Sequence, residues 1–77
     1  MLKDWKKNVD MNEKISYENI KTGDEAFITP KNFNYPNKQW TLYIPSRNKN
    51  YFDKIEEIDY RGKMEAKRAL NAYMRTH

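Results

Sequence analysis

The sequence predicts an α+β fold: a small single domain with an antiparallel β-hairpin or short sheet packed on a long C-terminal α-helix, and a short N-terminal helical segment. Three observations carry this expectation. QWTLYIP, residues 39 to 45, alternates Trp40, Leu42 and Ile44 with Thr41 and Tyr43, the period-2 pattern of a half-buried strand. Pro30, Pro36 and the Asn37-Lys38 pair ahead of it are turn formers, proline because it fixes φ and asparagine because it tolerates positive φ. Beyond residue 50, apolar side chains recur at helical spacing for more than twenty residues.

The 77 residues suffice for one domain, 1–77, and not for two. A chain of this size buries only ~60% of its unfolded surface, which leaves little stability for a deep, strained pocket. Within it, Leu2, Trp5 and Val9 have helical spacing, so residues 1–14 read as a short amphipathic segment that is either mobile or docked through Trp5. Gly23-Asp24 then marks a turn feeding a strand with Phe27 and Ile28 on opposite faces. Residues 26–29, with an extension to 33 left open, pair with 39–44.

The C-terminal part admits two versions. Tyr51, Phe52, Ile55, Ile58, Gly62, Ala66, Ala69, Leu70 and Tyr73 fall within a helical arc of roughly 120°. A single helix, capped by Asn50 and supported by a Glu57–Arg61 pair, is the preferred version. Asp59 inside the apolar arc and Gly62 in the helix interior speak against it. The alternative is a strand over residues 51–59, a turn near Gly62, and a helix from Lys63 to Arg75.

Charge is unevenly spread. Residues 1–28 hold five lysines and six acids; residues 29–50 hold four cations and no acid. Residues 51–62 are acidic and residues 63–77 carry four cations against Glu65, for a formal net charge of +4 overall. Such a distribution attracts phosphate backbones or acidic protein surfaces. With no cysteine, the chain has no thiolate chemistry and no disulfide. A charged N-terminus and the lack of a long apolar run make a cytoplasmic location, without membrane contact, the expectation.

Catalytic motifs are missing. The single histidine is His77, the serines Ser16 and Ser46 have no base at useful spacing, and two glycines cannot build a phosphate loop. Asp53, Glu56, Glu57 and Asp59 read as a solvated acidic stretch and not as a metal site. No enzyme, cofactor or metal is expected.

Two candidate binding surfaces remain. The central stretch offers Phe33, Tyr35 and Tyr43 among Lys31, Lys38, Arg47 and Lys49, the rings-and-cations mixture on which single-stranded nucleic acid stacks. Equally, such rings can serve the core: Trp40 is expected inside, Tyr35 outside, and Phe33 in either place. The second surface is the outward side of the last helix, with Arg61, Met64, Lys67, Arg68, Asn71 and Arg75. Arginine's planar fork suits phosphate and carboxylate, and an exposed methionine adapts to a partner.

In style and composition the chain resembles the small lysine- and asparagine-rich proteins of phages and mobile elements, many of which block a host enzyme or defence complex. The resemblance covers no motif and assigns no residue a role. It implies a small basic binding protein, an inhibitor or regulator that docks on a nucleic-acid-handling host protein or nucleic-acid–protein complex. The alternatives are direct binding of single-stranded or duplex DNA or RNA, and a structural subunit that docks through Leu2, Trp5 and Val9. Composition does not specify an oligomeric state.

Overall fold

Short alternating stretches cannot hold a strand conformation alone, because each has one apolar face and an unpaired backbone. Here five short strands, alternating most clearly over Glu25–Pro30 and Trp40–Pro45, pair in chain order. The computed structural model describes residues 4–45 and 55–77. Its strands are β1 (Trp5–Met11), β2 (Lys14–Asn19), β3 (Glu25–Pro30), β4 (Trp40–Pro45) and β5 (Ile55–Tyr60), followed by α1 (Lys63–Thr76). The sheet order is β1-β2-β3-β4-β5, antiparallel throughout.

Register decides which residues reach the core. Ile15 lies opposite Ile28, Ile28 opposite Leu42, and Leu42 opposite Ile58, so one apolar row crosses four strands on a single face. A parallel row brings Pro30 opposite Trp40 and Trp40 opposite Tyr60. Onto this face α1 lays Ala66, Leu70 and Met74, an i, i+4, i+8 stripe whose small first member lets the helix approach closely. Trp5 closes the far side, its ring meeting Tyr73 edge-on at 5.9 Å. The opposite face of the sheet carries Ser16, Phe27, Tyr43 and Glu57 in one row and Thr29, Thr41 and Asp59 in the next.

The β2–β3 turn is organised by Asn19, which is buried. Its side-chain carbonyl accepts from the backbone N–H groups of Lys21 and Thr22, its backbone N–H donates to the Asp24 carbonyl, and its own carbonyl accepts from Gly23 N–H. Gly23 has φ +77°, a left-handed conformation that glycine adopts without steric cost.

Three expectations are corrected. The N-terminal helical segment is strand β1, which pairs with β2 across the Asn12-Glu13 turn. Helical spacing of Trp5 and Val9 misled because the register shifts between Lys7 and Val9, so Trp5 faces the core while Val9 pairs with Ser16 on the other face. The hairpin or short sheet is a five-stranded sheet. The long C-terminal helix is β5 followed by a 14-residue helix, with Gly62 extended at the N-cap. A strand here leaves no acid in the core: Asp59 faces the open side, where Thr41 and Lys31 donate to it, and Glu56 lies at the sheet edge. The expected cap Asn50 and residues 51–54 lie outside the described residues.

Candidate binding surface at one end of the sheet

The meander brings three connections to one end of the molecule: the β1–β2 turn, the β3–β4 loop (residues 31–39), and the step from β5 into α1. The middle one is pinned by hydrogen bonds. Lys31 N–H donates to the Gln39 carbonyl at 2.9 Å, Tyr35 N–H to the Asn32 carbonyl at 2.9 Å, and Lys38 N–H to the Tyr35 carbonyl at 3.1 Å. The Asn32 side chain accepts from Asn34 N–H. From below, buried Trp40 donates its indole N–H to the Pro36 carbonyl at 2.8 Å, tying the loop to the core.

Phe33 and Tyr35 stand on this loop at 62% and 55% exposure, so both rings face solvent, and Phe33 is resolved in favour of the surface. Lys38 Nζ lies 5.1 Å from the Tyr35 ring centre. Around them open two depressions. The smaller is bounded by Lys31, Tyr35 and Lys38; the larger, of about 640 Å³, lies between the loop (Pro36, Asn37) and the start of α1 (Arg61, Lys63, Met64). Lys63 extends over the Trp40 ring, 5.3 Å from its centre.

The two surfaces expected separately thus meet: the loop with Phe33, Tyr35 and Lys38 adjoins Arg61 and Met64, the latter 66% exposed. Arg61 sits in the connection ahead of α1 and not on the helix exterior, which corrects its expected place. Lys67, Arg68 and Arg75 are exposed along α1, and Asn71 is half-buried among them. Ion pairs between described residues include Lys7–Asp10, Lys21–Asp4 and Lys31–Asp59, and none of these three involves a cation of α1.

One candidate, Tyr43, does not join, and another, Lys31, joins with its charge already paired. Tyr43 lies on the face away from α1, half-buried and stacked on Phe27 with centres 4.7 Å apart. Burial first, and then its hydrogen bond to Glu57, raise the hydroxyl above its ordinary pKa. That neighbourhood is acidic, so a stacked base there would bring phosphate toward carboxylates. Lys31 stands at the corner, its Nζ 2.6 Å from Asp59; this bond holds the lysine above its ordinary value and the carboxyl below its own, with Thr41 as the second donor to Asp59. Arg47 and Lys49 lie outside the described residues.

Sequence reasoning missed Asn12, Asn37 and Lys63 as lining residues. Asn12 was out of reach because its hairpin was unforeseen, while Lys63 could have been found from its place beside Gly62. No group of three or more histidine and carboxylate side chains among the described residues is arranged to hold a metal ion, and no described helix is long and apolar enough to cross a membrane. The architecture is that of a small α+β domain, a five-stranded antiparallel meander backed by one helix. No family model, curated protein or solved structure matches the chain.

Proposed function

We propose that the protein is a non-catalytic binding module, an inhibitor or regulator of the phage or mobile-element kind that docks on a nucleic-acid-handling protein or its complex. The observation that supports this most is the pair of exposed rings, Phe33 and Tyr35, on a loop already held by its own hydrogen bonds. Rings presented rigidly lose little entropy on binding and make the usual anchors of an interface. Lys38 at the Tyr35 ring, with Arg61 and Lys63 across the depression from Pro36 and Asn37 of the same loop, selects the contact zone: an acidic patch of the target, or phosphate it carries, since a basic channel would repel these cations.

A second reading, direct nucleic-acid binding, draws on the cations of α1. Arg68 and Arg75 sit about 10 Å apart along the helix at 1.5 Å per residue, without carboxylate partners among the described residues. The structural-subunit reading loses an anchor, because Trp5 is buried in the protein's own core.

Oligonucleotide anisotropy at about 50 and 200 mM salt separates these, combined with capture of partners from host lysate. Docking on a protein predicts a captured partner that Phe33→Ala or Tyr35→Ala releases and that tolerates the higher salt. Oligonucleotide binding that collapses with salt, is lost in the Arg68→Ala/Arg75→Ala double variant and survives Tyr35→Ala would overturn it in favour of the second reading.

A further inference from the structure

The two edges of the sheet differ. β1 is guarded: its register shifts between Lys7 and Val9, and exposed lysines stand at Lys6 and Lys7, both devices that discourage another strand from pairing. β5 has neither. It pairs with β4 through six consecutive positions without a shift, contains no lysine and no proline, and has no other strand beside it among the described residues. Because α1 lies mainly over β3 and β4, Ile58 is 39% exposed although its cross-strand partner Leu42 is buried. Ile55, on the other face, is 57% exposed.

We propose that β5 is a strand-addition edge for an extended segment of a partner protein with an apolar–basic–basic–apolar core. The specificity follows from Ile55-Glu56-Glu57-Ile58, which reads the same in both directions. An added strand with that core sets apolar side chains beside Ile55 and Ile58 and a cation beside each glutamate, whether it runs parallel or antiparallel. A second β5 does not fit, since antiparallel self-pairing of the isoleucines sets Glu56 against Glu57. The β1 edge of another copy offers Lys6 and Lys7, but its regular pairing stops at the register shift and Lys7 is already bonded to Asp10 at 3.1 Å. The occupant is therefore a different chain, and this edge is independent of the β3–β4 loop.

The test uses the full-length, ¹⁵N-labelled protein and capped peptides centred on Val-Lys-Lys-Val or Val-Glu-Glu-Val. The lysine peptide is expected to shift amide resonances of β5 and slow their hydrogen exchange, whereas the glutamate peptide leaves them unchanged. In E56K/E57K, whose two sites are exposed, the preference should reverse. N-methylation of the lysine peptide, which leaves the protein untouched, should abolish binding because the main-chain hydrogen bonds are lost. The proposal is overturned if the lysine peptide does not perturb β5, if its binding maps to α1 or the β3–β4 loop, or if N-methylation leaves it intact. Self-association through β1, seen by sedimentation without peptide, would overturn it as well.

Discussion

Trp40→Phe tests whether the aromatic loop is held from below by the core. The indole is 1% exposed and donates its N–H to the Pro36 carbonyl at 2.8 Å. Phenylalanine cannot donate, which forfeits about 1 kcal/mol; Pro36 is exposed, so its carbonyl can return to water and the loss stays near that figure. The smaller ring also buries roughly 40 Å² less apolar surface, about 1 kcal/mol at ~25 cal/mol/Å². The expected destabilisation is about 2 kcal/mol, against a total of about 4–12 kcal/mol for a domain this size, so the variant folds. Its melting temperature should fall by about 8–16 °C. Amide exchange should quicken at Tyr35 and Lys38, whose N–H groups are bonded within the loop, before it does at Ile28 or Leu42 in the sheet centre. Tyr35→Ala is the contrast: a half-exposed ring on the surface, whose removal should change stability by less than about 0.5 kcal/mol. A Trp40→Phe melting shift under about 3 °C, or unchanged exchange in the loop, would refute the view that Trp40 positions the site.

Leu70→Ala empties the centre of the helix stripe, where the side chain is fully buried, and should cost about 2–5 kcal/mol in urea unfolding without changing the slope of the transition. Gly62 is the extended N-cap of α1 without a side-chain hydrogen bond, and a Cβ there would come no nearer than 4.0 Å to the Lys38 carbonyl oxygen. Gly62→Ser should therefore raise stability by about 0.5–1 kcal/mol, through capping and a less flexible unfolded chain, measurable as a higher denaturation midpoint. Asp59 is held below its ordinary value of 3.8 by Lys31 and Thr41, so its contribution is complete above that value and disappears as pH falls through the lowered one. Asp59→Asn should flatten the acid limb of the stability profile in that window; an identical limb in both proteins would count against the Lys31–Asp59 pair.

Part of the fold was legible for identifiable reasons. Trp40, Leu42 and Ile44 alternate without interruption, and β4 is buried on that face as the period requires. Ala66 and Leu70 lie on the core side of α1 because their spacing follows the helical turn; Met74, which continues the stripe, was not read from the sequence. β1 was illegible because its apolar pattern is broken by a register shift and its turn, Asn12-Glu13, lacks the glycine that announces a tight hairpin. For β5, Ile55 and Ile58 fit a helix and a strand alike. The strand is the outcome that leaves Glu56, Glu57 and Asp59 exposed, as an edge position allows.

The candidate site divides in the same way. Sequence alone determined the acid-free run around Phe33, Tyr35 and Lys38 and the cationic C-terminal segment, because these are properties of composition and local order. It also placed Trp40 inside and Tyr35 outside. Only tertiary structure decided that Phe33 faces solvent, that Tyr43 lies on the far face beside Glu57, that Lys31 is bonded to Asp59, and that the loop meets Arg61 and Met64 at one end of the sheet. Each of these depends on strand order and register. A partner 18 or 28 residues away in the chain, as Thr41 and Lys31 are for Asp59, is chosen by pairing across strands and leaves no trace in local spacing.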